Sequence, residues 1–333
     1  MLDHKSPVGQ GNDSKKADGQ STGPELTKPP AISLPKGGGA IRGIGEKFAA
    51  NPVTGTGSMT IPIATSPGRS GFDPQLSISY DSGAGNGPFG LGWNLSLPAI
   101  TRKTDKGLPR YNDAEESDVF ILSGAEDLVP VLNPDGSQPE DTPSPSGHKI
   151  RRYRPRIEGL FARIERWTNS EGVSHWRSIS KDNITTLYGA TAESRIVDSK
   201  DATRIFSWLI YESFDDKGNA IRYEHKKEKD NPLDIDHSNA HEANRQDAQR
   251  TTNRYLKRIK YGNKTPRQSD EDLSGRNDWM FEVVFDYGEH YVDGTNGNVQ
   301  VVHYTDDQRE WDLRPDPFSS YRSGFEVRTY RLC

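Results

Sequence analysis

In Trp279-Met280-Phe281-Glu282-Val283-Val284-Phe285-Asp286-Tyr287 every odd position is apolar and two of the even ones are acidic. Such alternation belongs to a strand with one face buried and the other wet. Similar short runs recur along the chain. Strand candidates are Ser58 to Ile63, Gln75 to Tyr80, Val119 to Leu122, Leu160 to Trp167, His175 to Ile179 and Ile184 to Tyr188. They continue with Ile205 to Phe214, Ile221 to His225, Tyr255 to Tyr261, Val299 to Tyr304 and Phe325 to Leu332. Between them lie turn residues that tolerate positive φ, as in Pro67 to Gly71, Asp215 to Asn219 and Asp293 to Asn298. The pattern predicts a mainly β protein: antiparallel hairpins and meanders forming an extended curved sheet or sandwich, with long polar loops and little helix. Pro62 would remove a ladder donor, so its strand is expected at an edge or at a bulge.

Residues 1–30 are polar and rich in Gly, Ser, Lys, Asp and Pro, and they read as a disordered leader. Residues 31–333 read as one β domain, or two subdomains split near 133–149. The polar segment Lys226 to Arg254 is expected to hold one helix around Ala240 to Arg250. The last strand candidate runs into Cys333, which suggests truncation and an open sheet edge that would make the piece poorly soluble alone. Cys333 is the single cysteine, so no intrachain disulfide forms. The first residues have no apolar signal core, and no later stretch is apolar enough to span a bilayer. A net charge of −5 gives no global pull toward nucleic acid or an anionic membrane.

Several motifs carry chemistry elsewhere. Gly85-Asn86-Gly87-Pro88-Phe89-Gly90 fits the dinucleotide fingerprint, but the following residues read as turn and strand, leaving no helix N-terminus for a pyrophosphate. His241-Glu242-Ala243-Asn244-Arg245 begins like a zinc protease signature, yet Arg245 stands where the second histidine belongs. His237, with Asp234 and Asp236, is an alternative ligand set; a solvated loop is the simpler reading. The basic run Lys149 to Arg156 could grip phosphates, but it continues with charges of both signs, which fits cross-strand ion pairs on a sheet face. Asp113, Glu115, Glu116 and Asp118 could collect calcium, against a default of a solvated loop. Trp93, Trp167, Trp176, Trp208, Trp279 and Trp311 read as core aromatics, with a glycan-binding platform as the functional rival. No catalytic, cofactor-binding or metal-binding residue is assigned, and no cofactor is expected.

The segments Ser33 to Ile41, Gly45 to Phe48, Pro67 to Pro74 and Tyr80 to Gly83 resemble the Salmonella virulence plasmid 65 kDa B protein family. So do Gly85 to Gly87, Gly90 to Trp93, Asp118 to Pro130, Arg154 to Phe161, His241 to Arg245 and Tyr321 to Arg328. The resemblance implies a module shared by B subunits of bacterial Tc insecticidal toxin complexes and by virulence proteins carrying a C-terminal actin ADP-ribosyltransferase. Asp215 to Tyr223 also looks like a YD-type hairpin repeat. No E-x-E pair is present, so the transferase signature is missing from this stretch. The expectation is a non-enzymatic segment of a toxin B-type subunit, part of a β-sheet shell that encloses a toxic C-terminal fragment. Its partners would be a C-type subunit and, through further regions, a pore-forming A subunit, with no nucleic acid and no membrane insertion. It would be made in the bacterial cytoplasm and secreted without a classical signal peptide. Alternatives are the non-catalytic half of the transferase, or a free-standing adhesin.

Overall fold

The computed structural model describes residues 47–51, 55–123, 126–137, 139, 141–157, 159, 161–228, 235–296, 299–304 and 311–333, with backbone only for 51, 291–296 and 299–304. The expected leader, residues 1–30, lies outside the described residues. Everything described belongs to one compact unit.

Four strands, β1 (Lys47–Asn51), β2 (Thr56–Ile63), β3 (Leu76–Asp81) and β6 (Trp93–Leu95), form an antiparallel sheet in the order β1-β2-β3-β6. The small hairpin β4 (Asn86–Gly87) and β5 (Gly90–Leu91) stands between β3 and β6. Pro62 pairs with Ser77 of β3 beyond the last β1 pair, Lys47 with Thr60. Its missing donor therefore faces no partner strand among the described residues, which is the edge position its ring requires.

The main sheet begins with β7 (Ala99–Arg102), β8 (Phe120–Leu122), β9 (Glu126–Pro130), β10 (Thr142–Pro143) and β11 (Lys149–Pro155). It continues through β12 (Arg163–Thr168), β13 (Ser174–Ile179), β14 (Thr185–Tyr188), β15 (Arg195–Asp198) and β16 (Asp201–Phe214). Eight of these close a ring in the order β7-β8-β9-β11-β12-β13-β14-β16, because β16 pairs with β7 through Trp208 and Ile100 and with β14 through Phe214 and Thr185. The curved sheet thus becomes a barrel, which removes the edges of those strands. The polar loop 133–149 joins β9 to β11, two neighbours in this barrel, and carries β10.

β16 is 14 residues long, and its end also pairs with β17 (Ala220–Lys226). From there an antiparallel wing continues through β18 (Tyr255–Asn263) and β19 (Trp279–Val284). Two hairpins follow, β20 (His290–Asn296) with β21 (Val299–Tyr304) and β22 (Phe318–Ser320) with β23 (Val327–Thr329). The helix expected over Ala240 to Arg250 shrinks to a single turn, α1 (Asp247–Arg250). The residues before it make turns held by Glu242, whose side chain is buried among arginines. The final strand is also shorter than its pattern. Beyond Thr329 the chain docks onto the body: the Tyr330 N–H donates to the Tyr255 hydroxyl and the Cys333 N–H to the Pro88 carbonyl.

Inside the barrel, inward positions of alternate strands, β8, β11, β13 and β16, build an aromatic layer. Phe120, Tyr153, Trp176 and Trp208 are all buried, with ring centroids 4.8–5.9 Å apart. The edge-on geometries of these pairs add to the area they bury. The Trp208 indole N–H donates to the Ser174 carbonyl at 2.8 Å. Gly189, at φ 65°, lets the chain pass over Trp208, since a Cβ there would sit 2.3 Å from the ring. Of the six tryptophans only Trp176 and Trp208 are fully buried; the others are half-buried and none is exposed.

Candidate functional site

The sequence motifs land where local geometry puts them to structural use. The glycine-rich run forms the β4–β5 hairpin and leads into a strand, so no helix N-terminus follows. Arg314 reaches across to it, donating to the Gly87 carbonyl at 2.9 Å and to Asn86 Oδ1 at 2.8 Å. The YD-type segment is the β16–β17 turn. Asp215 accepts from the Lys217 and Asn219 amides, and Gly218 holds φ 77° where a Cβ would meet Pro266 at 2.8 Å. Among the described residues no group of three or more metal-ligating side chains converges. Asp234, one member of the alternative ligand set, lies outside the described residues.

Of the acidic group, Glu115 is exposed, while Asp113, Glu116 and Asp118 are bound by arginines. Asp113 and Asp118 both take the Arg102 guanidinium, at 2.6 and 2.7 Å. Arg102 is fully buried at one end of the barrel, against the rings of Tyr111, Phe120 and Trp208, and also donates to the Ile205 carbonyl. Glu116 accepts from Arg151, from Arg166 at 3.3 Å and from the Tyr153 hydroxyl at 2.8 Å. Burial alone would push the Asp113 carboxyl up, but hydrogen bonding and charge from Arg102 outweigh it and hold the group below its ordinary range. These carboxylates are occupied by arginines. The floor of the barrel is therefore an ionic plug under an aromatic layer.

The basic run is split between the two sides of β11. Arg151 joins the plug and pairs with Asp141 at 2.8 Å. Arg152 faces solvent, 4.0 Å from Glu165 on the neighbouring strand and in register with it. That is the cross-strand pairing the mixed charges suggest.

The segments 241–245 and 321–328, far apart in sequence, come together. Buried Glu242 accepts from Arg328 at 2.7 Å and from the Tyr330 hydroxyl at 2.7 Å, with Arg245 at 3.3 Å and Arg250 at 3.7 Å. Arg245 also pairs with Glu326 at 2.8 Å. Burial raises the Glu242 carboxyl, but the Tyr330 hydrogen bond and the Arg328 charge prevail and lower it. Two further pairs are sealed beside this clasp: Arg331 with Glu228, and Lys257 with Glu289. What passes for a protease-like motif is one half of a buried electrostatic clasp on the C-terminal segment. The signal was the presence of arginines inside apolar runs, as in Val327-Arg328-Thr329-Tyr330-Arg331-Leu332, where a buried cation needs a carboxylate.

The far end of the barrel is open. A cavity of about 550 Å³ there is lined by Pro98, Leu122, Ala162, Ile184 and Tyr188, with Glu126 and Asp182 among the polar groups.

The whole arrangement has known relatives. The mono(ADP-ribosyl)transferase SpvB of Salmonella choleraesuis is 38% identical over 320 residues, which cover 92% of this chain and 50% of that protein. The chain thus spans about half the length of the curated relatives it matches. The solved N-terminal domain of effector protein SpvB from Salmonella typhimurium strain LT2 superposes with a TM-score of 0.69 at 36% identity, over 82% of this chain and 84% of that one. A chain of the TcdB2-TccC3 crystal structure gives a TM-score of 0.72 at 32% identity, over 92% of this chain and 14% of that one. The family model described as Salmonella virulence plasmid 65kDa B protein matches residues 51–333, which takes in the barrel, the wing and both halves of the clasp. With that model matched over 51–333 and a solved domain of like fold at 36% identity, this chain is a member of the Salmonella virulence plasmid 65 kDa B protein family.

Proposed function

We propose that the chain is a non-enzymatic scaffold segment of a toxin-complex B-type subunit, where its sheets form part of a shell around a toxic C-terminal fragment. The observation that carries this reading is the likeness to the TcdB2-TccC3 chain across 92% of this chain. The chemistry of the fold is in keeping with it: the carboxylates and guanidinium groups of the floor and clasp are spent on each other. Steric enclosure needs stiffness, and the closed ring with its wing supplies it. The partner would be a C-type subunit resembling TccC3, with a pore-forming subunit engaged through other regions, and export would proceed without a classical signal peptide.

Co-expression with a TccC3-type chain tests the reading. A stable complex that forms only when this segment is attached to its B-type remainder is the expected result. A second reading, the N-terminal half of an ADP-ribosylating effector, is favoured by the 38% identity to SpvB over half of that protein. The coding sequence beyond Cys333 separates the two: YD repeats support the shell, and a transferase domain with an E-x-E pair overturns it.

A further inference from the structure

The buried arginines of the floor and the clasp each meet a carboxylate, as Arg102 meets Asp113 and Asp118 and Arg331 meets Glu228. Two half-buried arginines on the outer wall of the barrel do not. Among the described residues neither Arg177 nor Arg195 has a carboxylate within ion-pairing distance. The Arg177 Nε is shut from solvent without a hydrogen-bond partner, and the Arg195 Nε donates to the Thr191 carbonyl at 3.0 Å. Glu165 stands opposite Arg177 in the β12–β13 ladder, but its carboxylate is taken by Arg163 and by the Trp167 indole N–H. Burial pushes the Arg195 guanidinium down, and only the charge of exposed Glu193 opposes it. A cation held partly out of water without a counter-charge is a cost that an arriving anion removes.

The two guanidinium groups stand beside a triangle of rings. Trp176 points into the barrel, so its neighbours His175 and Arg177 point out, and Trp167 lies opposite His175 on β12. His148, in the turn before β11, completes the triangle. Its ring centroid is 6.0 Å from Trp167 and 5.4 Å from His175, and those two are 5.9 Å apart. The Arg177 guanidinium is 5.9 Å from the Trp167 ring. Arg195 arrives on β15, where it pairs with Trp208, whose indole is bonded to the Ser174 carbonyl next to His175. All five side chains are half-buried. Burial, then the charges of His148, Arg195 and Arg177, lower the His175 ring to about 4, so at neutral pH it adds no charge of its own.

We propose that His148, His175, Arg177 and Arg195 form a binding site for a tetrahedral oxyanion, the phosphoryl or sulfuryl group of a free anion or of an ester. Guanidinium forks and imidazole nitrogens together offer more donors than a carboxylate can accept, whereas a tetrahedral dianion presents acceptors on every side. The three rings give an apolar border to whatever the oxyanion is attached to. The inference is independent of the shell reading, since this patch lies on the outer wall of the barrel in either kind of full-length protein.

The test is isothermal titration of the full chain, at low salt, with inorganic phosphate, phenyl phosphate and acetate. Both phosphates are expected to bind with a Kd of about 1 mM or lower, about tenfold or more tighter than acetate. Tighter binding of phenyl phosphate marks an ester as the ligand and equal binding a free anion; both outcomes support the site. Arg177→Gln combined with Arg195→Gln should weaken phosphate about tenfold or more. Arg322→Gln, an exposed arginine in the β22–β23 turn, should leave it unchanged. Melting curves show whether each variant folds, and His148→Gln serves if the double variant does not. A second readout is the NMR titration midpoint of His175, which should rise in saturating sulfate, an anion of constant charge over that pH range. Acetate binding as tightly as phosphate, phosphate binding undiminished in a folded double variant, a His175 midpoint indifferent to sulfate, or no binding of phosphate at about 10 mM would each overturn the proposal.

Discussion

The barrel and the C-terminal segment are held by different physics. The barrel, residues 99–214, closes through main-chain ladders around an aromatic layer with the arginine plug at its floor, so most of its stability lies in backbone pairing and apolar area. Residues 311–333 contribute only the two short strands β22 and β23, and they are fixed to the body by buried ions: Glu242 with Arg328, Glu326 with Arg245, Glu228 with Arg331. Removing one partner of a buried ion pair leaves an uncompensated charge, whereas truncating a packed ring leaves a cavity. The fold is thus held by packing where it is closed and by paired charge where it is clasped.

Four experiments sharpen or break that contrast. The largest effect is expected within the barrel itself, where Trp208→Ala removes one ring of the aromatic layer, packed on Phe120 and Trp176, and should cost about 4–5 kcal/mol in denaturant unfolding. A loss near 1 kcal/mol would show that the layer is not the barrel's core. Next comes the clasp: Arg331→Ala takes its guanidinium partner from buried Glu228, a cost of about 3 kcal/mol, whereas Glu228→Leu with Arg331→Leu should recover most of it. If the double variant is as unstable as the single one, packing rather than charge holds the segment.

Acid supplies the third experiment. Burial, with the charges of nearby arginines, depresses the His175 ring to about 4 and the His225 ring to about 3. Below the unfolded value of about 6.5 the unfolded chain takes up protons that the folded chain refuses. Stability therefore falls with decreasing pH from there, by at most about 1.4 kcal/mol per pH unit for each ring. Replacing His225 with Asn should flatten the slope between about pH 6 and 4. The clasp carboxylates behave differently. Glu242 and Glu326 lie below their ordinary value, so their contribution is present above about pH 4.3 and is lost as pH falls through their folded values. Hydrogen exchange should then show residues 311–333 opening in acid before the barrel strands do. The smallest effect belongs to Arg152→Ala: the exposed guanidinium is 4.0 Å from buried Glu165, which keeps Arg163 and Trp167 as partners, so stability should change by less than about 0.5 kcal/mol.

The strands were legible because alternation is local: β2, β3, β13, β14 and β21 lie within a residue or two of their patterns. Closure was not, because the pairing of β14 with β16 joins segments whose sequences say nothing about each other. Glu126 to Pro130 and Ala99 to Arg102 escaped notice as strands, since Asp127, two prolines and a buried arginine blur their periods. The clasp was hidden for a similar reason. Glu228 and Arg331 stand 103 positions apart, and a charged residue reads as exposed until its partner is in view. The acidic cluster before β8 misled in the same way, reading as wet when it is the arginine plug's other half.

The length of β16 has a mechanical consequence. One uninterrupted strand supplies both the seam of the ring and the root of the wing, so a load on the wing is carried along a single backbone into the barrel wall. Tension there would fall first on the three residue pairs that join Glu212–Phe214 of β16 to Ala220–Arg222 of β17, and from them pass along β16 to its pairs with β7 and β14. Wing and ring thus share one load path.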